Sequence, residues 1–307
     1  MATFARLARR RASFSMSRLR PLRLSFLRLP LLAGLGAALL VTAGCGSTNG
    51  IDAETPQQAY EKGLDLYERG KYLRAIDYFR GVFDYGRTHE WADDATFYLG
   101  RAYQANGEYL LAANEYGRFA ELYKSDPRAE EAEFYRVESY VSLSPPYELD
   151  QSDTERAVTY GRLYLNRYPD GPHADEVVRT IEELRAKLAR KQYETARLYE
   201  TRELYEAAAL SYEEVLDGFP TSEYADDALA GAVRNWVLYA GLSIPTRRAD
   251  RYGRAVTNYN RLLEIFPDSP HLKEVEDDYA LAQDFVDRQA AADQQAADEA
   301  QAARGDG

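Results

Sequence analysis

The sequence predicts an all-α protein, an α-solenoid of about five stacked helix pairs, and three observations carry that prediction. The first is an internal repeat. Gly63, Gly70, Tyr72, Ala75 and Phe79 recur as Gly100, Gly107, Tyr109, Ala112 and Tyr116, and every offset is 37 residues. The second is a set of punctuating prolines. Pro169, Pro220 and Pro267 each close a stretch of helical spacing, because proline cannot continue the hydrogen-bond ladder. The third is a recurring acidic doublet: "ADDA" at 92–95 and 225–228, "AEEA" at 129–132 and "ADEV" at 174–177. Acids in a first turn complement the positive end of the helix dipole, so each doublet marks the start of a new helix.

The N-terminal segment comes first in order. Residues 1–44 hold eight arginines and no acid, and "LPLLAGLGAALLV" at 29–41 is apolar. A basic region, an apolar region and the small residues Ala43 and Gly44 make a secretory signal, with Met1 or Met16 as its start. A membrane span needs about 20 apolar residues. This run is shorter, and Pro30, Gly34 and Gly36 interrupt it. Cys45 is the single cysteine of the chain, so an internal disulfide is impossible. A packing role fits poorly, because "GSTNG" at 46–50 is a polar linker. A catalytic thiol needs a nearby base, and none is evident. The stretch Thr42-Ala43-Gly44-Cys45 resembles a bacterial lipobox, with Thr42 where leucine is usual. That resemblance implies removal of 1–44, lipidation of Cys45, and a lipidated N-terminus and linker over 45–55. Gly46 in place of aspartate implies the periplasmic face of the outer membrane as destination.

From Pro56 the helix pairs begin, and their period and residue types resemble tetratricopeptide repeats. Gly63 and Gly100 allow close packing of helix A on helix B. Gly70 and Gly107 make the turns, and Ala75 and Ala112 sit at the tightest crossings. Repeat three has helix B at 154–171 with Ala157. Repeat four has 204–220 with Ala208, and repeat five 251–267 with Ala255. Two segments break the pattern and read as long loops, "SLSPPYELDQSD" at 142–153 and "GLSIPTRRAD" at 241–250. The alanine- and glutamine-rich tail over 288–307 extends the last helix.

Composition narrows the function. The net charge is −12, and without the arginine-rich leader the remainder stands near −20. Such a body repels phosphate backbones, which argues against nucleic acid as a partner. No phosphate-binding loop, zinc-protease motif, nucleophile elbow or Cys/His cluster occurs, and the prediction is a protein with no catalytic, cofactor or metal site. His173 and His271 each follow a closing proline by four residues, and His89 lies near a repeat boundary, so all three read as architectural. Stacked helix pairs bind extended partners along the face of their helices A. By repeat position that face carries Tyr60, Leu64 and Tyr67, then Phe97, Arg101 and Gln104, then Phe134. Aromatic rings suit loosely ordered peptides, and Arg101 suits a carboxylate.

The lipobox, the short linker and five such repeats together resemble the BamD family, lipoproteins of the outer-membrane β-barrel assembly machine. The likeness is most specific over 168–229, including Lys191-Gln192-Tyr193-Glu194 and Phe219-Pro220, and the loop 144–158 resembles one branch of the family. It implies a BamA POTRA domain bound through the C-terminal repeats (129–287). It also implies unfolded outer-membrane barrel proteins received by repeats one and two (56–128) through a C-terminal aromatic and carboxylate. Other lipoproteins of the machine are further implied partners. Leu210-Ser211 and Glu203 stand where many members have Asn-Arg and Gly, though Arg202 is kept. A periplasmic adaptor for division or cell-wall enzymes is the alternative, but its usual coiled coil has no room between Cys45 and Pro56.

Overall fold

The computed structural model describes residues 51–305; the leader, Cys45 and most of the linker lie outside them. Among the described residues helix is the only regular structure. Five pairs run in chain order. They are α1 (Pro56–Glu68) with α2 (Tyr72–Gly81), α3 (Ala92–Ala105) with α4 (Tyr109–Leu122), and α5 (Ala129–Leu143) with α6 (Ser152–Arg167). Then come α7 (Ala174–Thr201) with α8 (Tyr205–Gly218), and α9 (Ala225–Gly241) with α10 (Pro245–Ile265). A short α11 (His271–Glu274) and a long α12 (Glu276–Gly305) close the stack. Each helix packs on the next, as a solenoid requires.

The acidic doublets open α3, α5, α7 and α9 as expected, and the prolines stand two residues beyond the ends of α6, α8 and α10. Ala75, Ala112, Ala157, Ala208 and Ala255 are all fully buried at the crossings. At Gly63 an added Cβ would lie 2.7 Å from the Phe79 ring, and at Gly100 it would lie 2.9 Å from Tyr116. Real Cβ contacts are not that close, so glycine here sets how near helix A approaches helix B.

The turn between helices A and B repeats in detail. Gly70 has φ of 71° and Gly107 of 80°. In each turn the glycine amide donates three residues back, to Tyr67 or Gln104. The next amide donates five back, to Leu66 or Tyr103. This is a left-handed helix cap, which glycine occupies without a Cβ penalty. Glu203 occupies the same place after α7, with φ of 58° and the same two bonds, to Glu200 and Tyr199. It is the one non-glycine residue with positive φ among the described residues. Replacing Glu203 with glycine is therefore expected to stabilise the protein by roughly 1 kcal/mol. A thermal melt followed by circular dichroism should show a rise of about 2–4 °C.

The two irregular segments differ from expectation. The first is a loop, over residues 144–151, but it is fastened to α7. Lys187 Nζ donates to Ser144 Oγ at 2.7 Å, Lys191 Nζ to the Glu148 carbonyl at 2.9 Å, and Arg190 stacks 4.1 Å from the Tyr147 ring centre. The second is not a long loop: only Leu242 to Ile244 separate α9 from α10. Pro245 carries the φ a first helical position needs, and Ile244 before it is extended, so "PTRRAD" becomes helix.

Helix α7, 28 residues long, serves two repeats. Its Tyr193 stands eight residues before the helix end, as do Tyr60 in α1 and Phe97 in α3. The second half of α7 is thus helix A of repeat four, and Ala196 takes the close-approach position of Gly63 and Gly100. In α12, ahead of the tail, Tyr279 stacks on Tyr259 at 4.0 Å and Phe285 meets Tyr252 at 4.7 Å. From Asp287 onward every residue whose burial is described is exposed, and α12 continues without packing partners.

Candidate functional site

The face built by the helices A of repeats one to three centres on Arg101. This side chain lies on α3, one third exposed, between α1 and α5. Its guanidinium donates to the Tyr135 hydroxyl at 3.3 Å and stands 4.9 Å from that ring centre, a cation–π geometry. Burial works against its charge, but the neighbouring phenols of Tyr67, Tyr135 and Tyr116 outweigh it and hold the guanidinium more firmly protonated than usual. Among the described residues its nearest carboxylate is Glu131 at 3.9 Å, beyond hydrogen-bond distance. Glu131 itself accepts from the Tyr135 hydroxyl at 2.8 Å. Arg101 is thus charged, framed by rings, and bonded to neutral oxygen.

Around it stand further groups of the same face. Gln104 accepts from Tyr116 at 2.7 Å, which orients its amide. Tyr67 meets Tyr98 edge-on at 6.1 Å. Burial and then Glu176 raise the carboxyl of Glu138, while a bond from Gln104 opposes the rise. Burial, with the bond to Glu131 behind it, pushes the Tyr135 phenol up to about 12, so it remains a neutral donor.

The expected residues divide into two groups. Leu64, Tyr67, Arg101 and Gln104 are partly exposed on this face. Tyr60, Phe97 and Phe134 are 9%, 4% and 6% exposed and lie in the hydrophobic cores. A flat side chain just ahead of the next helix A covers each of them. Trp91 packs on Tyr60 at 5.3 Å, the Arg128 guanidinium lies 5.3 Å over Phe97, and His173 stacks on Phe134 at 3.8 Å with planes 8° apart. Tyr224 covers Tyr193 in the same way at 4.9 Å. These three aromatics join repeats and offer little surface to a ligand. The residues missed by sequence reading are Tyr98, Tyr135, Glu131 and Glu138. Tyr98 and Tyr135 are also 37 residues apart, so the repeat contained the signal, one residue along from the row chosen.

The histidines are placed as joints. Besides His173 on Phe134, His89 bonds the Val82 carbonyl at 3.1 Å, and its other ring nitrogen accepts from the Trp91 amide. His271 lies 3.1 Å from Glu274 and 3.9 Å from Asp227. The acidic doublets also do more than favour helix dipoles. Arg128 reaches back to Asp94 at 2.6 Å and Asp93 at 3.4 Å, Ser269 bonds Asp226 at 2.8 Å, and Tyr164 bonds Glu130. The doublets at 93–94 and 226–227 thus tie their helices to the repeat that follows, and Glu130 ties α5 to its own partner α6. No group of three or more metal-ligating side chains occurs among the described residues. None of their helices is long and apolar enough to cross a membrane.

This arrangement defines a class: a helix-pair repeat protein whose helices A present aromatic and polar side chains around Arg101. Comparison with known proteins narrows it. The YfiO profile, described as outer membrane lipoprotein, matches residues 52–242, and the chain belongs to that family. A relative from Caulobacter vibrioides, named outer membrane protein assembly factor BamD, is 29% identical over 233 residues, covering 73% of this chain and 74% of that one. One of the same name from Rickettsia prowazekii is 24% identical, covering 68% of this chain and 84% of that one. A third, from Aquifex aeolicus, is called a putative assembly factor BamD and is 28% identical over 65% of each chain. The TPR2AB domain of yeast Sti1 is similar at a TM-score of 0.36 and 16% identity, covering 77% of this chain and 86% of that one. The fold assignment rests on the helix pairs themselves.

Proposed function

We propose that this protein is a non-catalytic scaffold and receptor in the assembly of outer-membrane β-barrel proteins. The observation that carries the reading is family membership, with relatives named assembly factors over more than two thirds of the chain. The helix-A face supports a receptor role. Repeats one and two (56–128), with Tyr135 of α5 completing the face, receive the C-terminal segment of an unfolded barrel protein. Its last aromatic side chain lies against Tyr67, Tyr98 and Tyr135, and its carboxylate takes Arg101, whose present partners are phenols. Repeats three to five (129–287) bind a POTRA domain of BamA. A lipid on Cys45, which lies outside the described residues, holds the chain at the periplasmic face of the outer membrane.

The test is affinity purification of the tagged full-length protein from detergent-solubilised membranes. A BamA homologue is expected to co-purify in near-stoichiometric amount, and depletion is expected to lower barrel proteins in the outer membrane. Absence of that partner, with unchanged barrel proteins and a block in division, would replace this reading with that of a division adaptor.

A further inference from the structure

The two most exposed large apolar side chains of the described residues stand two positions apart, at one corner of repeat five. Leu242 is 75% exposed and Ile244 is 65% exposed, both in the three-residue turn between α9 and α10. Leu238 is also exposed, and it lies one helical turn before Leu242 on the same side, since Leu242 keeps helical backbone angles. Other turns within repeats expose one leucine, as at Leu73, or two that are less exposed, as at Leu110 and Leu111, 48% and 42%. This one gathers three apolar residues.

The turn is held rigid from within. Ser243 is buried between the two exposed residues. Its amide donates to the Ala240 carbonyl at 3.0 Å, and its carbonyl accepts from Arg248 Nε at 3.0 Å. Its hydroxyl bonds the Tyr239 carbonyl and Arg251. Arg251 in turn lies 3.6 Å from the Tyr239 ring centre and donates to its hydroxyl at 2.8 Å. Pro245 then opens α10. With Ser243 pinned inward, Leu242 and Ile244 are displayed outward, so docking needs little further ordering.

Charge points to the partner. Residues 238–254 hold four arginines, Arg247, Arg248, Arg251 and Arg254, against one aspartate, in a chain of net charge −12. Arg251 and Arg254 are engaged within the fold and Glu206 bonds Tyr239 nearby, but Arg247 is exposed and Arg248 half-buried just past the tip. An apolar tip with these two cations beside it suits an anionic bilayer surface: aliphatic side chains enter the boundary of the acyl chains and guanidinium groups meet phosphates. A helix docking in a protein groove would show a longer apolar stripe along its axis, not a tip. We propose that the α9–α10 turn is a second, interfacial membrane contact. In it Leu242 and Ile244 insert, and Arg247 and Arg248 pair with anionic lipid headgroups. The contact stands apart from the face around Arg101; it lies within the repeats proposed above to bind a POTRA domain, but is argued from the turn's own residues and does not rest on that binding.

The test uses the full-length protein purified from membranes and placed in phosphatidylethanolamine vesicles, with or without phosphatidylglycerol, whose acyl chains are brominated. Leu242→Trp reports on the tip and Leu122→Trp, at an exposed position between repeats, serves as control. Natural Trp91 and Trp236 form a shared background. Emission from Leu242→Trp is expected to fall about two-fold in the anionic brominated bilayer, as for a side chain inserted several ångströms deep, while the control is unchanged. Adding Arg247→Glu should restore most of that emission. If Leu242→Trp is unquenched and as open to iodide as Leu122→Trp, the proposal is overturned. It is equally overturned if Leu242→Trp becomes shielded from iodide only on adding an acidic partner protein, without bromine quenching; the tip is then a protein contact.

Discussion

Gly100→Val is expected to lower the melting temperature by about 5 °C and to loosen the binding face with it. At Gly100 the first carbon of any side chain would lie 2.9 Å from two atoms of the Tyr116 ring. Tyr116 cannot yield easily. It is fully buried, its ring meets Phe97 at 6.2 Å and Tyr135 at 5.4 Å, and its hydroxyl holds Gln104. Overpacking of this kind costs about 1–3 kcal/mol, more than the few tenths that valine gains over glycine in helix propensity. At about 2–4 °C per kcal/mol for a chain of this size, the loss is readily measured by circular dichroism. Gly253→Ala is the control. Nothing lies within 4 Å of a Cβ there, in the interior of α10, so alanine should stabilise by about 0.5–1 kcal/mol. If both substitutions shift the melt alike, the close approach of α3 and α4 is not what glycine serves at position 100.

Arg101→Glu is expected to weaken binding of a peptide ending in an aromatic residue and a free carboxylate by roughly ten- to a hundred-fold. A charge-assisted hydrogen bond contributes about 1.5–3 kcal/mol, and 1.4 kcal/mol corresponds to a factor of ten. Reversal removes that bond and sets a negative charge beside Glu131 and Glu138, so the repulsion acts on ligand and fold together. Arg101→Gln separates the two: it is neutral, leaves the acids unopposed by a third, and should lose most of the affinity with little change in melting. Fluorescence anisotropy with a labelled peptide, compared with its C-terminal amide, measures both. Equal affinity for acid and amide, or wild-type affinity in Arg101→Glu, removes Arg101 from the receptor face.

The architecture was legible because its signals are local. The acidic doublets open helices, the prolines follow their ends, and the 37-residue offset repeats each glycine together with the ring it must clear, Gly63 and Phe79 recurring as Gly100 and Tyr116. The segment 241–250 misled because its glycine, serine and proline resemble a loop, whereas proline at a first helical position begins a helix. The candidate face was half legible. The repeat showed that aromatics recur at 60, 97 and 134, and equally at 98 and 135, but did not show which row lies between helices.

That choice belongs to tertiary structure. One residue along an α-helix is a rotation of about 100°, enough to carry a side chain from the core to the face. Which row turns inward depends on what the next repeat lays over it, here Trp91, Arg128 and His173. The sequence by itself determined the repeat, the starts of its acid-opened helices, and its close-packed glycines and alanines, all set by neighbours along the chain. Only the packed stack placed Arg101 between Tyr67 and Tyr135, buried Tyr60, Phe97 and Phe134, and pinned Ser243 so that Leu242 and Ile244 point outward. Each of those outcomes is a contact between segments whose mutual rotation no single segment contains.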